Sequence, residues 1–281
     1  MNYTLQKIAS KNNLTLKQVV PLQGGDINDV FLLQCDSEDY VVKLNNAKKY
    51  PKMFEAEAKG LEALSSSQSF RIPKVIAFGI EENTSYLLLE YLTKGTPTTS
   101  FWSYFAKNLA KLHKSTNATF GWNHNNYIGS LPQINKTEST ASDFYINQRL
   151  EPQLKMARAN GFQFSTLDRF FKNVSEEIPK EVPSLIHGDL WSGNYLVSEI
   201  KNPVLIDPAV AFAPREMDLA MMQLFGGFPQ EVFDRYHIIF PLTNNWQNRI
   251  TIWQLYYLLV HLNLFGNSYL PQVNTIIRQY S

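Results

Sequence analysis

Residues 185–197 read LIHGDLWSGNYLV, two apolar runs of strand character enclosing a histidine, a carboxylate, a tryptophan and an asparagine within eight residues. A pattern that only built a core would not be interrupted by so much polar chemistry. The spacing is H-x-D-x-x-x-x-N, with His187, Asp189, and Asn194 five residues after the aspartate. A second apolar run, PVLI, closes on Asp207, eighteen residues after Asp189. That interval has room for one hairpin, and a β-turn-β there brings both carboxylates and Asn194 to one end of a ribbon. Such a set of oxygen ligands invites a cation.

The same spacing marks catalytic loops of the kinase type. Transfer of a γ-phosphoryl group leaves the protein little covalent work, so the residues required are those that position the reactants and neutralise charge. Mg²⁺ is held by oxygen ligands, usually one or two carboxylates plus substrate phosphates, and Asp207 and Asn194 supply such oxygens. Asp189 is left to accept a proton from an attacking hydroxyl. Upstream, the remaining parts follow in order: Gly24 and Gly25 in a turn, Lys43 in the apolar run VVKLN, and Glu57 on the next helix. Lysine is depleted in strands. The fourteen residues from Lys43 to Glu57 suit a strand, a loop and the first turns of a helix folded back over the strand. Lys43 would then bind the α- and β-phosphates and Glu57 would fix its direction, with Glu55 as the rival candidate.

Further outward, residues 16–21, 30–35 and 39–45 read as strands, and KVIAFGI and SYLLLEYL as two more. Between them Phe54, Ala58, Leu61 and Leu64 fall on one face of a helix. The polar, Gly- and Pro-bearing break TKGTPTTS divides a β-rich N-terminal lobe, residues 1–92, from a mostly helical C-terminal lobe, residues 93–281. In the second lobe, helical patterns cover about 100–114, 140–160 and 165–178. The long segment FGWNHNNYIGSLPQINK between the first two is a candidate substrate-facing loop, since long loops in compact domains tend to serve function. The fold class is therefore α+β, an N-terminal sheet carrying one helix and a mostly helical C-terminal lobe with a catalytic β-hairpin, and the resemblance of the loop to kinase catalytic loops implies a protein-kinase-like bilobal fold with an antiparallel N-terminal sheet.

Composition narrows the partners. With 281 residues, 44% hydrophobic, the chain can bury a sizeable core. A formal charge of +1 gives no electrostatic footprint for nucleic acid or an anionic membrane. Cys35 is the only cysteine, which excludes an intramolecular disulfide and fits a reducing, cytoplasmic setting. The most apolar segment, Ile252 to Phe265, is marked by Gln254, His261 and Asn263 as a buried helix with a polar stripe rather than a membrane span.

With glycine after His187, the loop resembles the aminoglycoside phosphotransferase and choline kinase branch of the kinase-like fold. More closely, the chain resembles the fructosamine kinase, or ketosamine 3-kinase, family. The resemblance is carried by GGDIN, VVKLN, MFEAEAKGLEAL, LLLEYL, FGWNHNNYIGSLPQIN, HGDLWSGN, LIDPA, REMDLAM and HLNLFG, which span nearly the whole chain. It implies an ATP- and Mg²⁺-dependent enzyme that phosphorylates the sugar 3-hydroxyl of ketosamines, after which the adduct eliminates and the amine is freed. By the same resemblance Asp189 is the base, Asn194 and Asp207 are the metal ligands, and Lys43 and Glu57 form the phosphate-positioning pair. Gly24 and Gly25 belong to the phosphate loop, and the backbone at Glu90, Tyr91 and Leu92 meets adenine. Asp218 resembles a buried aspartate bracing the catalytic loop, the alternative being a surface carboxylate. Trp191 either stacks on a sugar or braces the loop from within the core, and His261 and Asn263 are candidates for the substrate pocket. Some family members dimerise through a cysteine in the phosphate loop, but PLQGGDIND, residues 21–29, has none. A buried, inert Cys35 and a monomer or weak dimer are expected.

Two alternatives stand beside this reading. A related kinase could act on an aminoglycoside, choline or thioribose, though a polycationic aminoglycoside would favour a strongly acidic pocket. A pseudokinase would bind nucleotide without turnover and be expected to lose Lys43, Asp189, Asn194 or Asp207, all of which are present.

Overall fold

Five antiparallel strands, β1 (Leu16–Pro21), β2 (Asp29–Cys35), β3 (Tyr40–Asn46), β4 (Val75–Glu81) and β5 (Thr84–Glu90), form a sheet in the order β1-β2-β3-β5-β4. The computed structural model describes residues 2–22, 27–165, 167–200 and 202–281. Alternation along the strands assigns the two faces. Phe31, Leu33 and Cys35 of β2 and Tyr40, Val42 and Leu44 of β3 pack with Leu5 and Ile8 of an N-terminal helix, α1 (Asn2–Lys11). Lys43, between Val42 and Leu44, projects to the other face, where α2 (Met53–Ser66) lies. The expected face of α2 is buried in full: Phe54, Ala58, Leu61 and Leu64. The sheet thus carries two helices where one was expected. The inward stripe of α1 is only Leu5, Ile8 and Ala9, too short to stand out from its polar neighbours.

From β5 the chain passes alongside the catalytic ribbon, with the Gly95 N–H bonded to the Val197 carbonyl at 2.8 Å, and enters α3 (Phe101–His113). The expected long loop is in part a hairpin, β6 (Asn126–Ile128) and β7 (Leu131–Gln133). Next come α4 (Ala141–Tyr145), a π-helical turn at Ile146–Leu150, α5 (Glu151–Ala159) and α6 (Asp168–Glu177). The strand-rich island then forms two nested ribbons. β9 (Tyr195–Val197) pairs with β10 (Pro203–Leu205), as the interval between the two aspartates predicted. Outside it, β8 (Ser184–Ile186) pairs with β11 (Ala211–Ala213), a pairing the sequence did not announce. Because the ribbons nest, the loops from β8 to β9 and from β10 to β11 must face one another at the same end.

The helices α7 (Glu216–Leu224), α8 (Gln230–Ile239), α9 (Trp246–Phe265) and α10 (Leu270–Gln279) complete the fold. Trp253, Leu255, Leu259 and Leu262 on α9 join a core that runs through α2, α3 and both ribbons. Gln254, His261 and Asn263 are each half-buried, but His261 and Asn263, two residues apart, face different sides of α9 and so do not form the single polar stripe expected. Among the described residues no helix is long and apolar enough to cross a membrane. Cys35 is a free, buried thiol whose pKa is raised by burial, in keeping with an inert core residue.

Candidate active site

The loop between β8 and β9 is held by backbone geometry and by one buried carboxylate. Gly188 has φ +85, in the left-handed region, and a Cβ there would run into the Ala209 carbonyl, so glycine is required on both counts. Asp218, fully buried on α7, accepts from the His187 and Gly188 amides, at 2.8 Å each, and from His113 Nε2 at 3.1 Å. Burial alone would raise its pKa, but these donors hold the carboxyl below the ordinary carboxylate value. Its neighbours in REMD are also buried and paired: Arg215 with Glu181, and Glu216 with Arg249 and Trp253. His187 bridges the two facing loops, its Nε2 meeting the Ile206 carbonyl at 2.9 Å while its Nδ1 accepts from the Asp189 amide at 3.3 Å. Burial lowers its pKa and keeps the ring neutral.

The ionisable groups expected from distant parts of the chain converge here. Lys43 Nζ lies 2.7 Å from Glu57 Oε1 and is also paired with Asp207. Glu55 instead pairs with Lys59 one helical turn away. Burial would depress the Lys43 pKa, but Asp207 and Glu57 outweigh it and hold the ammonium charged above its ordinary range. Asp207 adopts φ 56, a left-handed conformation that aspartate tolerates better than most residues. Across the cavity the Asn194 amide nitrogen donates to the Asp189 backbone carbonyl at 2.8 Å and to its carboxylate at 3.2 Å, while its amide oxygen has no partner among the described residues. Burial, and then the charge of Asp207, push the Asp189 carboxyl up to about 7.

Lys43, Glu57, Asp189, Asn194 and Asp207 line one cavity of about 310 Å³. It adjoins a second, of about 490 Å³, walled by Trp191, Phe225, His261, Phe265 and Tyr269, with Asp189 and Trp191 lining both. Trp191 is 41% exposed, which removes the alternative of a core brace. Its indole lies against Gly193, where a Cβ would overlap the ring, so the Trp-Ser-Gly sequence lays the side chain at the junction of the two cavities. A shared oxygen set of Asp207 and Asn194 suits a hard divalent cation. Among the described residues no three His, Cys, Asp or Glu side chains form a metal cage, so such a cation must complete its shell from substrate and water.

The hairpin β6–β7 was legible only as a substrate-facing segment. Asn126, Tyr127 and Gly129 do line the first cavity. The hairpin is anchored by its amides: Asn126 Nδ2 donates to the Val210 carbonyl at 2.9 Å, and Gln133 and Asn135 donate to Asn126 Oδ1 at 2.8 and 2.9 Å. Asn263 is a correction: its amide is spent on Gln153, and its oxygen accepts from Asn160, on a side of α9 that lines neither cavity. His261 does line the second cavity, with Nδ1 bonded to the Tyr257 carbonyl at 2.8 Å. Glu90, Tyr91 and Leu92 line neither. The Glu90 carboxylate holds Arg71 and the Lys74 amide, and the Tyr91 N–H donates to Asp39 at 3.3 Å, while the Leu92 N–H has no protein acceptor among the described residues. Gly24 and Gly25 lie outside the described residues.

An N-terminal antiparallel sheet and the helix on it, presenting Lys43 and Glu57 to two facing loops, one carrying Asp189 and Asn194 and the other Asp207, define a phosphotransferase of the kinase-like fold. Solved aminoglycoside phosphotransferases share that fold with this chain, one of them at a TM-score of 0.66 and 16% identity over 98% of both chains. A family model described as fructosamine kinase matches residues 2–281. A protein of Enterococcus faecium described as a probable ketoamine kinase is 39% identical over 98% of this chain and 99% of its own length. A Synechocystis protein of the same description is 38% identical over 98% and 96%. The crystal structure of a Haemophilus somnus protein assigned as a fructosamine-3-kinase superposes with a TM-score of 0.88, at 29% identity, covering 98% of this chain and 95% of that one. The chain belongs to the fructosamine kinase family, and is an ATP-dependent phosphotransferase that acts on a sugar hydroxyl.

Proposed function

We propose that this protein transfers the γ-phosphoryl group of ATP to the sugar 3-hydroxyl of ketosamines, the adducts of amines with reducing sugars, and so initiates deglycation. The observation that carries this reading is the position of Asp189, which among the described residues is the one acidic residue that borders both the charged cavity and the aromatic chamber beside it. In this reading the acceptor enters the chamber, with Trp191 and His261 against its sugar, and Asp189 receives the proton of the attacking hydroxyl. The new bond joins that oxygen to the γ-phosphorus as the bond to the β-phosphate oxygen breaks. The Asn194 amide holds the Asp189 carboxylate in direction, and Asp218 positions the loop through its backbone amides. Lys43, steered by Glu57, neutralises the α- and β-phosphates. By the family resemblance, Gly24 and Gly25 would belong to the phosphate loop and the backbone at Glu90–Leu92 would receive adenine. Asp207 and the free oxygen of Asn194 would hold Mg²⁺, which supplies charge neutralisation at the transferred phosphate.

The chamber argues against an aminoglycoside acceptor. Among the described residues its only acidic lining group is Asp189, too little to neutralise several ammonium groups. A coupled ADP-release assay on ribulose-lysine and fructose-lysine adducts beside kanamycin and choline tests the assignment. Turnover is expected on the ketosamines, and turnover confined to kanamycin or choline would overturn it. A cytoplasmic location and a monomeric or weakly dimeric state belong to the same proposal.

A further inference from the structure

The two edges of the five-stranded sheet differ in their defences. β1, LKQVVP, carries a lysine and ends on proline, both of which discourage a further strand from pairing. β4, VIAFGIE, has neither, and its one charge is the glutamate at its end. Alternation turns Ile76, Phe78 and Ile80 outward, at 37%, 46% and 56% exposure. Phe78 stands opposite Leu87, and Leu87 opposite Lys43, so this apolar stripe lies on the face that carries α2, beside that helix. The backbone is open as well. Glu81 and Thr84 flank a two-residue turn and are the hydrogen-bonded pair of such a hairpin, so Gly79 and Ala77 also direct their polar groups at β5. Those of Phe78 and Ile80 point off the sheet, where among the described residues no strand meets them.

We propose that β4 is the interface of a homodimer, in which two copies of this chain join edge to edge, antiparallel, about a two-fold axis at Phe78. The sequence is self-complementary in that register. With Phe78 opposite its own copy, Ile76 faces the partner's Ile80, and Lys74 comes opposite the partner's Glu82. Apolar side chains meet apolar ones, and an exposed lysine meets an exposed glutamate on both sides of the axis. Glu82 already holds Lys7 within its own copy, at 2.8 Å, and a carboxylate has room for a second cation. The charges around the stripe are of both signs, which suits a second copy and neither a nucleic acid nor an anionic membrane. Each copy spends its only β4, so the assembly closes at two. A bulge between Val75 and Ala77 keeps the regular ladder short, so the dimer is weak, with a dissociation constant on the order of 10–100 μM. No β4 residue lines either active-site cavity, so association leaves both open.

The test is sedimentation equilibrium on the full chain, with activity and thermal melting measured alongside. Wild type is expected to pass from monomer to dimer with no larger species. Phe78→Lys sets two ammonium groups against each other at the axis and should raise the dissociation constant about tenfold or more, with kcat, both KM values and the melting temperature of the monomer unchanged. Ile80→Lys should do the same, so a folding failure in one variant leaves the other to decide. Oxidation of Phe78→Cys tests the register, because directly opposed residues of a hydrogen-bonded antiparallel pair lie about 5.5 Å apart at Cα, within reach of a disulfide. It should give a covalent dimer, whereas Ile238→Cys, on the exposed face of α8, should not; the buried Cys35 stays out of the reaction. A wild-type chain still monomeric at about 500 μM, a dimer untouched by both lysine substitutions, or Phe78→Cys that does not cross-link would each overturn the proposal.

Discussion

Asp189 is under two opposing demands. A proton acceptor works best with a pKa near the working pH, whereas a carboxylate facing a metal-phosphate site is pressed to ionise. Burial and the charge of Asp207 bring it to about 7, and the donated Asn194 amide opposes them. Asp189→Asn keeps the size and removes the base, so kcat is expected to fall by about 10²–10⁴-fold with ATP affinity nearly unchanged. Equilibrium nucleotide binding alongside single-turnover phosphoryl transfer separates the two effects; collapse of ATP affinity with a high residual rate would refute the assignment. Lys43 carries a different burden. Lys43→Met leaves Glu57 and Asp207 facing one another without a cation, and loss of about 3–5 kcal/mol in urea unfolding is expected, as for a buried pair broken on one side. Glu57 should then rank as the stabilising second mutation, because Lys43→Met with Glu57→Gln removes one of the two stranded charges.

The catalytic loop behaves as an element because His187 and Asp218 tie it from both sides. His187 is neutral when folded, its lowered pKa due first to burial, while in the unfolded chain it titrates near 6.5. Below that pH the unfolded state takes up a proton that the folded state does not, so stability falls as pH drops, by at most about 1.4 kcal/mol per pH unit. The stability advantage of wild type over His187→Asn, measured by urea unfolding, is therefore expected to shrink between pH 7 and pH 5. An advantage that grows toward acid would mean a charged, paired ring. This loop was also the most legible part of the sequence, because its information is local: a fixed spacing, a glycine and two flanking strands. Lys43 and Glu57 were legible for the same reason, through strand alternation and helical period. The β8–β11 pairing was not, since three-residue strands carry no period and their partner is set by the nesting of the ribbons. The hairpin β6–β7 escaped because Asn126, Gln133 and Asn135 read as loop polarity until their acceptors near Ala209 and Val210 are in place. Asn263 was misjudged, since it lies about half a helical turn from His261, which decides between α5 and the chamber.

At the scale of the molecule the active site is a joint. Lys43 and Glu57 come from the sheet and α2, whereas Asp189, Asn194 and Asp207 come from the ribbons. Contact between the two parts is partly apolar, with Gly60 of α2 close against Pro208, so that a Cβ at Gly60 would lie 3.2 Å from the proline ring. It is partly ionic, through Lys43, which is paired with Glu57 on one side and Asp207 on the other. A nucleotide brings phosphates that compete for Lys43, and the half-exposed Asp207 must then find another cation or stand unpaired beside the like charge of the buried Glu57. ATP binding and divalent cation binding should therefore be coupled. With Mg²⁺ and ATP at about 100 times the dissociation constant, stability should rise by about 2.7 kcal/mol, a shift of several degrees in melting temperature for a chain of this size. With EDTA in place of Mg²⁺ the same ATP should give little shift, and Asp207→Ala should lose the metal-dependent part while keeping any metal-independent binding through Lys43. Equal shifts with and without the cation would show that the charge of Asp207 is met entirely within the protein, and would remove it from the metal site.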